Sequence, residues 1–172
     1  MNGHDSSDGD SPWPEFLGCL IDCHAGALQL YARQLCDYAE DVVQEALMEL
    51  VAQAEPPRDA VAWLYRVVRN KAISVSRSSR RRRRRENEAA GCRPVWFEPS
   101  RADAIDAHAA AAALESLPAE QREVVVARIW GGLSFAQIGQ LVGASDSAAH
   151  RRYEAGLSAL RRKLGIPCPK ND

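Results

Sequence analysis

Residues 39–85 read AEDVVQEALMELVAQAEPPRDAVAWLYRVVRNKAISVSRSSRRRRRR and contain two helical patterns of opposite charge. In the first, Val42, Val43, Ala46, Leu47 and Leu50 recur at helical spacing and form one apolar stripe. Asp41, Gln44, Glu45 and Glu49 are left facing outward. Asp37 stands where it can cap a helix beginning near Tyr38, and Glu40 and Asp41 in the first turn suit the positive end of the helix dipole. Pro56 and Pro57 stop the pattern, because proline lacks the amide donor and disfavours helix in the residue before it.

The second pattern runs from an N-cap at Asp59 through Ala60 to about Ser76. Trp63, Leu64, Val67, Val68 and Ile73 form its apolar stripe, with Trp63 expected in the core. From Arg66 to Arg85 there are ten basic residues and no acidic one. One unit with an acidic face and a basic face implies two different partners. The six arginines 80–85 taken alone mark a solvated tail or a generic polyanion binder, whose affinity falls with salt.

Upstream, Phe16, Leu17, Leu20, Ile21, Leu28, Tyr31, Ala32 and Leu35 predict one or two helices packed on the 39–50 helix. Residues 1–14 are polar and punctuated by glycine and proline, so a disordered lead is expected there. Cys19, Cys23, His24 and Cys36 invite a zinc reading, but the only tight pair is Cys19 with Cys23, and small buried thiols are expected instead. No metal or other cofactor is predicted. With no export signal, five cysteines read as reduced thiols.

The net charge of −1 hides segregation. Residues 37–59 carry seven acids against Arg58, and the stretch that follows is strongly basic. No apolar run approaches the ~20 residues needed to cross a bilayer, and the acidic start lacks the basic region of a signal peptide, so a cytoplasmic protein with no membrane partner is expected. A phosphate-cradling glycine loop, a metal cluster and a nucleophile with its base are all missing from the sequence, which argues against an enzyme and against a small-molecule substrate.

Residues 86–106 lose the helical period, are punctuated by Gly91, Pro94 and Pro99, and read as a flexible linker. Beyond it, Ala109–Leu117 favours helix, Leu117-Pro118 breaks it, and a new helix starts at Ala119, with Val124, Val125, Ile129 and Trp130 on its stripe. Gly131-Gly132 closes it. Ser134 caps a short helix to Val142 with Ile138 and Leu141 inward, Gly139 at a close helix crossing and Gly143 in a tight turn. A last helix spans about Asp146 to Leu164, with Leu157, Leu160 and Leu164 expected inside. That is helix-turn-helix spacing, in which the second helix enters the major groove.

The order AED-V-V-Q-E, then WL-Y-R-V-V-R-N, then a basic tail, resembles the first conserved domain of the extracytoplasmic-function (ECF) sigma factors, promoter-recognition subunits of bacterial RNA polymerase. LPAEQREVVVARIWGGLSFAQIGQLVG is similar to their minus-thirty-five-binding domain. The resemblance implies an all-α chain of two small helical domains: a lead over 1–14, a first domain over 15–85, a linker over 86–106 and a helix-turn-helix domain over 107–172. It implies that Asp41, Gln44 and Glu45 dock on core RNA polymerase, at its clamp, with the flap as a further contact region. It implies that Arg66, Arg69, Asn70, Lys71, Ser74 and Arg77 receive the melted minus-ten strand. Ser134, Ser147, His150, Arg151 and Arg152 would then meet the minus-thirty-five duplex, arginine being well matched to guanine. Arg161, Arg162 and Lys163 lie too far along for bases and suit phosphate. An anti-sigma protein is a further partner the resemblance admits.

Two departures from the family pattern stand out. Ser74 occupies a position where an aspartate is common, and Ala148-Ala149 replaces a Thr-Val pair. Two other readings compete: a helix-turn-helix regulator that acts without polymerase, and an adaptor that binds the clamp without reading promoters. Co-purification with core polymerase, together with promoter-dependent transcription, separates all three.

Overall fold

The computed structural model describes residues 13–53, 55–86 and 104–166. Seven helices account for nearly all of them: α1 (Trp13–Arg33), α2 (Ala39–Val51), α3 (Ala60–Glu86), α4 (Ala104–Glu115), α5 (Ala119–Ile129), α6 (Phe135–Val142) and α7 (Asp146–Leu164). Among the described residues there is no strand. Residues 1–12 of the expected lead and 87–103 of the expected linker lie outside the described residues, while Trp13 and Pro14, expected in the lead, open α1. Helix α1 begins two residues before the boundary predicted for its domain, and α4 three residues before its own.

The first three helices pack on one another around Leu28, Ala32, Val42, Val43, Ala46, Leu50, Leu64 and Val68, all nearly inaccessible. Trp63, expected in the core, is half-buried and packed against its margin, and the fully buried aromatic of α3 is Tyr65, two residues further on. The reason is that α3 is covered by α1 on one side and by α6 on another, so its buried arc is wider than a two-helix contact requires. Asp59 caps α3 as expected, its Oδ1 accepting from the Ala62 amide at 3.0 Å. The helix then continues ten residues past Ser76, to Glu86. Arginine is among the better helix formers, and neither glycine nor proline interrupts the run. The N-cap of α2 is Tyr38 rather than Asp37, and the tyrosine side chain makes no cap hydrogen bond.

In the second group α5 is the central helix, because α1, α6 and α7 all pack on it. Val124, Val125, Val126 and Ala127 are buried in succession. Its end emerges from this enclosure, so Ile129 and Trp130, expected in the core, are exposed at 48% and 42%. Helix α7 lies close against α5 through small residues: Gly156 is buried there, and a Cβ on it would stand 2.7 Å from Val125 Cγ2. That close approach turns the α7 leucines aside, leaving Leu157 and Leu160 half-buried and Leu164 exposed rather than inside.

The turn between α6 and α7 follows the expected pattern. Ser134 Oγ accepts from the Gln137 amide while Gln137 Oε1 accepts from the Ser134 amide, a reciprocal cap. Gly143 ends the helix at φ +70°, a left-handed conformation that a side chain would strain. Ser145, a cap the sequence reading passed over, starts α7 by accepting from the Ala148 amide.

Candidate nucleic-acid and polymerase interfaces

Helices α2 and α3 lie side by side and divide the first group into an acidic and a basic edge. On α2, Asp41, Gln44, Glu45 and Glu49 are exposed while Val42, Val43 and Ala46 are buried, so helical period alone separates the acidic face from the core. Met48, 65% exposed, sits among these acids and adds apolar surface to the same face.

On α3, Arg66, Asn70, Ser74 and Arg77 are all exposed. Their spacing of four, four and three residues stacks them along one stripe, since each residue turns the helix by about 100°. Arg81 extends the stripe and donates from Nε to the Arg77 carbonyl. The other two expected residues leave the stripe in opposite directions. Lys71 turns toward α2, with Nζ 3.1 Å from Glu45 and 3.3 Å from Glu49, and these carboxylates raise its pKa. Arg69 turns toward the second group, where Nε donates to Glu123 Oε1 at 2.7 Å. Burial works against the Arg69 charge, but the bond to Glu123 outweighs it and the net pKa is raised. Thus the six residues expected to act together separate into an exposed stripe of four, two of them arginines, and two flanking cations already engaged.

In the second group, Ser147, His150 and Arg151 share the exposed face of the first two turns of α7. The His150 ring meets Phe135 edge-on at 4.8 Å, while Arg128 lies 4.9 Å over that phenyl ring, so α6 fixes the histidine's orientation. Arg152 points elsewhere and pairs with Glu120 of α5 at 2.9 Å. The Ser134 hydroxyl oxygen is occupied by the α6 cap. Arg161, Arg162 and Lys163 lie in the last turn of α7, where positive charge suits the dipole.

Sequence matches follow the same division. Sigma-70 region 2 matches residues 20–85, and sigma-70 region 4 matches residues 107–160. The ECF RNA polymerase sigma factor SigL of Mycobacterium tuberculosis is 35% identical over 161 residues, covering 87% of this chain and 91% of SigL. The chain belongs to the ECF sigma factor family. The sigma factor therefore serves promoter recognition by RNA polymerase, with the polymerase and promoter DNA as its partners. It is also 28% identical over 160 residues to the ECF RNA polymerase sigma factor EcfG of Rhodopseudomonas palustris. In three dimensions it resembles the sigma factor RpoE of Bartonella quintana, solved in complex with the anti-sigma factor NepR, at a TM-score of 0.70 and 25% identity, covering 90% of this chain and 99% of the other.

Among the described residues no group of three metal-ligating side chains converges. Cys36 is buried as expected, but Cys19 and Cys23 are exposed and line a cavity between α1 and the start of α3. Glu123 is the residue that sequence reasoning missed. A glutamate directly before Val124-Val125-Val126 is the signal that was present, since charge in an apolar run needs a partner when buried.

Proposed function

We propose that the sigma factor grips core polymerase through Asp41, Gln44 and Glu45 on α2 and receives the melted minus-ten strand along Arg66, Asn70, Ser74 and Arg77 on α3. The α7 face of Ser147, His150 and Arg151 reads the minus-thirty-five duplex, with Ser134 and Arg152 at its margin. Arg69 and Lys71 join the strand-binding surface once their carboxylate partners release them. The observation that carries this reading is the α3 stripe, four exposed residues in register beside an acidic helix of the same unit. Single-strand capture needs charge for phosphates and a surface for extruded bases, and the stripe offers Arg66 and Arg77 for the first with the polar Asn70 and Ser74 between them.

The domain division is 15–85 and 107–172 around a tether, and the site of action is the bacterial cytoplasm; among the described residues no helix is long and apolar enough to cross a membrane. An anti-sigma protein is a further partner, in line with the complex of the Bartonella relative. The test is co-purification with core polymerase followed by run-off transcription across a promoter library. A chain that binds DNA but neither polymerase nor start sites would be a helix-turn-helix regulator instead. Polymerase binding without initiation would make it an adaptor.

A further inference from the structure

Cys19 and Cys23 stand one turn apart on α1, and their sulfurs are 4.0 Å from each other. Both thiols are exposed, unlike that of Cys36. They line a cavity of about 620 Å³, together with Phe16 and Leu20 of α1 and with Ala60 and Val61 at the start of α3. Arg58 and His24 border the same cavity. The His24 Nδ1 is buried and has no hydrogen-bond partner among the described residues. None of these residues belongs to the surfaces assigned above to polymerase or to promoter DNA.

Two thiols this close either join as a disulfide or share a ligand. Residues four apart on a helix have Cβ atoms about 5–6 Å apart, whereas a disulfide needs them within about 3.5–4.5 Å. Oxidation would therefore have to break a turn of α1 next to Leu17 and Leu20, which are buried in the core. A bridging atom needs no such distortion. At a metal–sulfur distance of ~2.3 Å, sulfurs 4.0 Å apart subtend about 120° at a shared ion, the angle of trigonal coordination.

The donor set then selects the ion. Thiolates are soft ligands and favour soft ions, Cu(I) and zinc among them. Structural zinc completes a tetrahedron with four protein ligands, and no group of even three converges among the described residues. Cu(I) is a closed-shell ion stable with two or three donors, so the pair of sulfurs suffices. The His24 imidazole, next to Cys23 in sequence and at the same cavity, is the group at hand for a third position. Binding is a proton exchange: one Cu(I) and two thiols give a bis-thiolate complex and release two protons to solvent, with no change of oxidation state. The complex carries one negative charge, which Arg58 at the cavity wall offsets.

We propose that Cys19 and Cys23 form a bis-thiolate site for a single soft monovalent metal ion, Cu(I), at the cavity between α1 and the start of α3. The ion ties one turn of α1 to itself, in the stretch that carries Leu17 and Leu20 into the core. Because the unfolded chain does not hold the two sulfurs together, occupancy raises the stability of the folded chain by mass action.

The test uses the full chain carrying Cys92→Ser and Cys168→Ser, so that the pair and Cys36 are its remaining thiols. Titrated anaerobically with Cu(I) against a chromogenic Cu(I) chelator, this parent chain should bind one equivalent and melt at a higher temperature than its metal-free form. X-ray absorption at the copper edge should show two sulfur neighbours. Adding Cys19→Ser or Cys23→Ser should abolish both the bound equivalent and the melting shift, whereas Cys36→Ser should abolish neither. Both serine variants should melt like the metal-free parent, because both positions are exposed; where one melts early, the sulfur count in the parent still decides. No uptake by the parent, or uptake that survives either serine substitution, overturns the site. Half an equivalent with a doubled mass by light scattering also overturns it, since the ion is then shared between two chains. Retention of one equivalent of zinc in preference to Cu(I) overturns the choice of ion.

Discussion

Reversing the charge of Asp41 separates a docking face from a merely solvated one. Asp41 is exposed in the first turn of α2, and the residues that hold this helix in place, Val42, Val43, Ala46 and Leu50, are untouched by the change. Folding should therefore feel only the helix dipole: losing a favourable acid and gaining an unfavourable base costs about 1 kcal/mol. For a chain of this size that lowers the melting temperature by roughly 2–4 °C. Polymerase association should respond on another scale. If Asp41 meets a basic surface of the clamp and is desolvated there, Asp41→Arg costs about 2–5 kcal/mol, or roughly thirtyfold to a few thousandfold in Kd. Core binding by fluorescence anisotropy, with thermal melts of the free protein alongside, measures both quantities. Native-like affinity in a folded Asp41→Arg protein would falsify the assignment of this face to polymerase, and wholesale unfolding would contradict the small stability cost expected of an exposed first-turn residue. Adding Gln44→Ala should deepen the binding defect with little further effect on the melt.

Ser134→Ala removes the oxygen that caps α6 and should cost about 1 kcal/mol, read as a drop of roughly 2–4 °C in a thermal melt; no drop would mean that Gln137 and its bond to Asp59 hold the helix start unaided. Arg151→Ala should weaken promoter binding by about 1–3 kcal/mol and relax discrimination at one base position. Arg162→Ala should instead weaken all sequences alike and reduce the salt slope by about one, and equal behaviour of the two in a salt-titrated binding assay would contradict their placement on α7. Burial raises the pKa of both Tyr31 and Tyr65, with the Glu123 charge adding to the effect on Tyr31. Their contribution to stability is whole below the unfolded value of about 10 and is lost as pH rises above it, because the unfolded phenols ionise first. Urea melts at alkaline pH should show stability falling by about 1.4 kcal/mol per pH unit for each phenol, with a shallower slope in Tyr31→Phe.

The sequence by itself determined the helices and their outward faces. Period and caps are local physics, so the α2 stripe, the Asp59 and Ser134 caps, the Gly143 turn and the helix-turn-helix spacing were all legible from neighbouring residues. So was the exposure of Asp41, Gln44 and Arg66, which follows from facing away from an apolar stripe. What only the tertiary structure decided was how the two halves meet. No local pattern announces that Arg69 is held by Glu123 while Arg66 is exposed, because the carboxylate comes from α5, 54 residues further along the chain. Nor does it foretell that Tyr65 outranks Trp63, or that Ile129 and Trp130 emerge while Gly156 is buried. Burial at those positions depends on helices far away in the chain, and a buried carboxylate reveals its partners only when a fold brings them within 2.7 Å.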